Sequence, residues 1–341
     1  MRTVRVGVIG TGMIGQTHIQ RITGVVRGGQ VVAVTDVDLA RAEQVAGTLP
    51  AAAVVHKTGQ DLIADNDVDA VLVTSWGATH EEYVLAAIAA GKRVFCEKPL
   101  APTADGAMRI VEAEMAAGRR LIQVGFMRRY DAAYNALKNT LDAGEAGTPL
   151  LMHCAHRNPS APPYGFTTDM IVSDSAVHEI DLVRWLFGEE IAAVRILHPR
   201  SSSRASEDLR DPLIVLLEMA SGILIDVEVF VNAGYGYDIR AEVVGESGTL
   251  SLSHGGLATV TRDGQRGTPV PANWRERFDG AFDAEFTDWL RAVGTGTTTG
   301  PSSWDGYAAA VVTDRCLEAL RTGDRVEVAL PERPGFYAGR S

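Results

Sequence analysis

The chain has 341 residues, 46% of them hydrophobic, with 32 basic and 43 acidic side chains and a formal net charge of −11. That balance argues against a nucleic-acid partner, which needs clustered Lys and Arg, and there is no apolar run of about 18 residues to cross a membrane. The length points to two domains rather than one, and three cysteines (Cys96, Cys154, Cys316) with no CxxC spacing fit a reduced, cytoplasmic setting.

The first 125 residues alternate strand and helix. "VRVGVIG", Val4 to Gly10, is a short apolar run ending in glycine and predicts a buried strand. A helical pattern follows from about Met13, with Ile14, Ile19 and Ile22 at helical spacing. Further strands are expected at Gln30–Asp36, Asp69–Ser75, "RVFCE" and "LIQVG". Helices lie between them, one carrying Val84, Leu85 and Ile88 and one over Thr103–Ala117. This alternation implies parallel βαβ units, and strands that are apolar throughout imply helices on both faces.

The first strand-to-helix turn reads Gly10-Thr11-Gly12-Met13-Ile14-Gly15. The first glycine permits the tight turn, the second lets the backbone approach a pyrophosphate, and the third packs helix against strand. The helix N-terminus then offers N–H groups to phosphates. Asp36 ends the second strand, where a carboxylate accepts from both ribose hydroxyls of NAD and repels the extra phosphate of NADP. Val37 and Asp38, not an arginine, follow it. Trp76 and His80 lie just past the Asp69–Ser75 strand, at the edge where open parallel sheets bind ligands. Either they meet the cofactor, or they are a packed loop aromatic and a surface histidine.

From about Phe126 the pattern changes. Strands are expected at Pro149–His156, Ala192–Leu197, Leu213–Met219, Gly222–Asn232 and Asp238–Gly245. Short turns at Ala220–Gly222 and Gly245–Gly248 suggest hairpins and an antiparallel sheet. Ile223, Ile225, Val227, Val229 and Val231 share one face; Leu224, Asp226, Glu228 and Phe230 share the other, which is either solvated or meets another subunit. Helices are expected at Phe278–Val293 and Trp304–Thr322. Residues 126–341 therefore read as an α+β domain, and the expected site is the cleft between it and the first.

In "VSDSAVHEIDLVRWLFG", Val177, Ile180, Leu182, Val183 and Leu186 predict a helix with Asp174 near its start. Asp174 and His178 then share one face at i and i+4. Histidine is the usual base for taking a hydroxyl proton near pH 7; the alternative is a helix-start aspartate beside a surface histidine. In "HCAHRNP" a strand puts His153 and His156 on opposite sides, and no second ligand pair is evident, so no metal is expected. Lys98, in "FCEKPLA", is one of only four lysines. Pro99 restricts it to extended or turn backbone, and the Lys98–Pro99 bond is expected to be cis. Lysine presents three rotatable donors on a compact charge, where arginine presents a wide planar fork.

"GTGMIG", "CEKPLA", "VGFMRRYD", "HCAHRNP", "SDSAVHEIDLVRWL", "GYGYDIRAEVVGE" and "SSWDGYAAAVVTD" occur in this order, and together they resemble the Gfo/Idh/MocA oxidoreductases from about Val4 to near Leu330. The resemblance implies an N-terminal Rossmann domain and a C-terminal α+β domain on a large, mainly antiparallel open sheet. That sheet would build a homotetramer. It also implies NAD as cofactor, held by Gly10, Gly12, Met13, Ile14, Gly15, Asp36, Thr74, Trp76, His80, Glu97 and Lys98. Lys98, Asp174 and His178 would be catalytic, and Arg128, His156, Asn158 and Tyr237 would line a polyol pocket. The implied reaction is oxidation of a cyclic polyol, myo-inositol to 2-keto-myo-inositol (scyllo-inosose), with His178 as base. Alternatives are another inositol isomer, a pyranose sugar, or a non-catalytic dinucleotide-binding sensor. The loop "SAPPYGFTTDM" between His156 and Asp174 is where this chain departs from the pattern.

Overall fold

A computed structural model describes residues 2–163, 165–253 and 259–338. Its contacts divide the chain into two packing units. The sequence suggests a single cut after residue 125, whereas the units are discontinuous. The first takes the residues up to Phe126, Phe282–Ala310 and the chain from Pro331; the second takes Met127–Ala281 and Val311–Leu330.

The first unit holds strands β1 (Val4–Ile9), β2 (Gly29–Thr35), β3 (Val54–Val55), β4 (Ala70–Val73), β5 (Arg93–Glu97) and β6 (Ile122–Gly125). They pair in the order β3-β2-β1-β4-β5-β6, every pair parallel. Helices α1 (Met13–Gly24), α2 (Leu39–Gly47), α3 (Gly59–Ala64), α4 (His80–Ala89) and α5 (Ala104–Ala116) alternate with them. α2, α3 and α5 start where a side chain satisfies a free N–H: Asp38 accepts from Arg41 N, Thr58 from Asp61 N and Thr103 from Gly106 N. β4 and β6 are buried along their whole length, as parallel strands covered on both faces should be. One core joins Val6, Val8, Val34, Leu72 and Phe95 to Phe286, Trp289 and Leu290, which is why a segment beyond residue 280 belongs to this unit. Burying each such side chain stabilises the fold by about 1.5–3 kcal/mol.

The second unit opens with α6 (Ala132–Asp142) and β7 (Pro149–Arg157). A helical turn α7 (Thr168–Met170) leads through a π-helical turn (Ile171–Ala176) into α8 (Val177–Phe187). β8 (Ile191–Leu197), β9 (Leu213–Met219), β10 (Leu224–Phe230), β11 (Asp238–Gly245) and β12 (Thr249–Ser251) follow. Then come a small hairpin of β13 (Val260–Arg262) and β14 (Gln265–Gly267), helix α9 (Trp274–Thr295), which passes into the first unit at Phe282, helix α10 (Ser303–Thr322), which returns to the second unit at Val311, and β15 (Val326–Glu327). The sheet order is β12-β11-β7-β10-β9-β8-β15, antiparallel except for the parallel pair of β7 and β10. Both expected hairpin turns are present, joining β9 to β10 and β11 to β12. Along β10, Ile225, Val227 and Val229 are fully buried while Leu224 on the other face is 44% exposed. The alternation in the sequence thus marks the buried face correctly.

Candidate active site

The cofactor-binding candidates belong to the first unit. Gly10 sits at φ +97°, a conformation that favours glycine, and a Cβ there would lie 2.5 Å from Ser75 N. A Cβ on Gly15 would lie 2.0 Å from Gly10 O, so helix and turn touch through that glycine. A Cβ on Gly12 would meet nothing within 4 Å beyond its chain neighbours and its own helix. No acidic residue stands in the first turn of α1, so that turn supplies no carboxylate of its own to compete for its N–H groups. The turn therefore fits a pyrophosphate. Thr74 shapes the turn: its hydroxyl donates to Gly10 O at 2.7 Å. Met13 and Trp76 are exposed, Trp76 at 81%.

Asp36 follows β2. Its Oδ2 accepts from the Thr11 N–H at 2.6 Å and the Thr11 hydroxyl at 3.1 Å; its Oδ1 accepts from Asp38 N at 2.9 Å and Arg41 Nη2 at 2.7 Å. Burial pushes the carboxyl up, but Arg41 and these N–H groups outweigh it and hold Asp36 below the usual aspartate range. Arg41 escapes notice in the sequence because it comes five residues later, on the first turn of α2, rather than next to Asp36.

His80 is buried, not at the surface. Its Nδ1 lies 2.7 Å from Pro99 O and its Nε2 lies 3.0 Å from Ser75 O, so it ties the end of β4 to the Lys98–Pro99 segment. The Lys98–Pro99 bond is cis. Glu97 is buried, and its Oε2 accepts from Lys98 N at 3.2 Å.

The substrate candidates belong to the second unit, and three of them form one buried network. Arg128 is 1% exposed. Its Nη1 donates to Glu179 Oε1, and its Nη2 lies 3.2 Å from His156 Nδ1. His156 Nδ1 is also 3.1 Å from Glu179 Oε2, and His156 Nε2 is 3.4 Å from the Tyr237 hydroxyl. A guanidinium only donates and a carboxylate only accepts. A protonated Nδ1 therefore serves Glu179, and a bare Nδ1 accepts from Arg128. Burial opposes charge on Glu179, yet Arg128 and His156 win and bring its carboxyl down to about 2. Burial pushes the Tyr237 phenol up to about 12, so it remains a neutral donor at physiological pH. Asn158 follows β7, and its side-chain oxygen is buried with no hydrogen-bond partner among the described residues; a substrate hydroxyl would satisfy it.

Asp174 and His178 are both half-buried, four residues apart. The sequence suggests one regular helix from Asp174, but Asp174 belongs to the π-helical turn and α8 begins at Val177. Such turns recur at functional sites. The His178 ring lies 6.4 Å from the ring of His156, centroid to centroid, so the candidate base stands beside the buried network. Glu179 is the member of this network that sequence reasoning misses. Its signal in the sequence is only its place next to the candidate base, on a helix that also carries Asp181 and Arg184. His153 and His156 do face opposite ways: His156 is buried, while His153 is exposed and 2.5 Å from Asp226.

Two family models cover most of this chain, an oxidoreductase family NAD-binding Rossmann fold over residues 4–126 and an oxidoreductase family C-terminal alpha/beta domain over residues 138–328. The chain belongs to the Gfo/Idh/MocA oxidoreductase family. It is 54% identical over 339 residues to inositol 2-dehydrogenase 3 of Saccharopolyspora erythraea, covering 99% of each chain. It is 52% identical over 337 residues to an inositol 2-dehydrogenase of Agrobacterium fabrum, covering 98% of this chain and 99% of that one. Among solved structures, the myo-inositol dehydrogenase of Lactobacillus casei in complex with NAD(H) and myo-inositol matches with a TM-score of 0.96 at 39% identity, covering 98% of this chain and 99% of that one. This member of the family is an NAD-dependent oxidoreductase.

Proposed function

We propose that the chain oxidises myo-inositol to 2-keto-myo-inositol. The observation that carries this reading is the near-complete match to inositol 2-dehydrogenases at about half identity, joined to a buried cluster of donors and acceptors around His178. A polyol offers many hydroxyls and no charge, so it calls for several hydrogen-bonding groups rather than one deep ionic anchor. Asn158 and the His156–Tyr237 edge of the network supply such groups.

His178 takes the proton of the reacting hydroxyl, and Asp174, one turn earlier, orients the imidazole and stabilises its charged form. Lys98 donates to substrate hydroxyls. NAD, when bound on the Gly10–Gly15 turn and Asp36, supplies the acceptor for the hydride that leaves the same carbon. The alcohol thus loses one proton and one hydride and becomes a ketone. Arg128 and Glu179 act behind this set, holding His156 in place.

Steady-state rates over a panel of inositols and pyranoses test the reading. The expected result is NADH formation with the highest kcat/KM on myo-inositol. A higher value on glucose or another pyranose than on every inositol would reject the inositol assignment. No NADH from any polyol would favour a dinucleotide sensor.

A further inference from the structure

Glu97 ends β5 immediately before Lys98, and its two oxygens have separate partners. Oε2 accepts from the backbone N–H of Lys98 at 3.2 Å, and Oε1 lies 2.7 Å from Nε2 of His18 on α1. His18 is fully buried. Its ring sits among Phe95, Phe282 and Phe286, with centroids 6.2, 5.4 and 4.5 Å away. Its other nitrogen, Nδ1, is 3.4 Å from Nη1 of Arg21, and Arg21 Nε is held by Asp283 Oδ1 at 2.5 Å. Because the guanidinium only donates, Nδ1 is the acceptor and Nε2 carries the proton given to Glu97. Burial, which disfavours a charged imidazole, agrees with this neutral tautomer. Gly125, at the end of β6, leaves room for the carboxylate: a Cβ there would stand 3.1 Å from Glu97 Cδ and Oε2.

A pocket walled by three phenylalanines would be filled at lower cost by a fourth. Burying an imidazole and a carboxylate there is unfavourable unless each polar atom is paired. Packing alone therefore does not call for a histidine. We propose that His18 is a positioning residue for Lys98: its Nε2–H orients the Glu97 carboxylate, which fixes the Lys98 backbone N–H and hence where the ammonium is presented. The inference rests on Lys98 acting on the substrate.

The test replaces His18 with Phe, which keeps the packing and removes the donor, and with Gln, whose amide N–H restores one. His18→Phe should lower kcat by roughly 10- to 100-fold, the scale of small misplacements of a catalytic group. Its NAD affinity, read by fluorescence titration, should stay close to wild type; its thermal midpoint should fall, because the buried Glu97 Oε1 loses its donor, so kcat is read well below that midpoint, and His18→Gln should recover most of kcat. A folded His18→Phe with wild-type kcat would overturn the proposal. Glu97→Gln gives a second arm that does not depend on that variant folding, because its NH₂ must oppose one of the two donors. It should lose kcat to a similar degree, and wild-type turnover there would also overturn the proposal. Lys98→Met separates the two levels. Full activity in Lys98→Met rejects both the catalytic reading and this one, whereas an inactive Lys98→Met beside a fully active His18→Phe rejects His18 alone.

Discussion

The buried Arg128–Glu179 pair makes the sharpest prediction. Glu179→Gln keeps the size and shape of the side chain but removes the carboxylate charge to which Arg128 Nη1 donates. Both side chains are almost wholly buried, at 1% and 2% exposure, so water cannot replace the lost partner. The Glu179 carboxyl stands at about 2 against an ordinary 4.5. That separation corresponds to about 3 kcal/mol at roughly 1.4 kcal/mol per pH unit, in line with the ~3–5 kcal/mol typical of breaking a buried pair. Because the folded pKa is depressed, this stabilisation is fully present above about pH 4.5 and is lost as pH falls toward 2. Scanning calorimetry from pH 5 to 8 should show Glu179→Gln melting several degrees below wild type by a nearly constant margin, and the margin should shrink in acid. Adding Arg128→Met removes the stranded guanidinium, so the double variant should melt above Glu179→Gln alone. Equal melting of wild type and Glu179→Gln at pH 7, or strictly additive losses in the double variant, would refute the reasoning.

Three further outcomes follow from the site. His178→Ala should cut kcat by roughly 10²–10⁴-fold, the usual range for losing a general base, with NAD binding retained in a fluorescence titration; an unchanged kcat rejects His178 as the base. Asp36→Ser should release Arg41, now 2.7 Å from Asp36 Oδ1, to meet a 2′-phosphate. The ratio of kcat/KM for NADP over NAD should then rise by roughly 10- to 100-fold, as expected for one charge-assisted hydrogen bond. Replacing Arg41 with Met in the same variant should reverse the gain. Gly15→Ala must displace the Gly10 carbonyl, since the new Cβ would lie 2.0 Å from it. A loss of about 1–3 kcal/mol in stability from overpacking should accompany weakened NAD binding, and wild-type affinity in the titration would show that the turn can yield.

The elements that sequence shows clearly are those whose pattern is local. β5, β9 and β11 fall where continuous or alternating apolar residues put them, and Asp174 and His178 come one turn apart, although a π-helical turn replaces the regular start of the helix. Segments that bury little are not legible. α2 buries only Ala42 and Val45, β3 has two residues, and β15 has two more, whose pairing to β8 reaches back more than 130 positions. The parallel pairing of β7 with β10 is equally hidden, because nothing in either strand names its partner.

The same distinction applies to chemistry. On α8, Glu179, Asp181 and Arg184 look like a solvated face, yet all three are buried. Each answers a charge that a reader of the helix alone cannot see: Arg128 lies 51 positions from Glu179, Arg129 lies 52 from Asp181, and Arg184 is matched by Glu190 six residues on. His18 and Glu97 are 79 positions apart. A charged or imidazole side chain is tolerated in a core only when its partner arrives with it. A glycine fingerprint and a DxxxH therefore announce themselves, while the residues that hold them in place emerge only when the chain has folded. In this protein those silent partners, Glu179 behind His156 and His18 behind Glu97, stand one hydrogen bond from the residues that sequence assigns to the site.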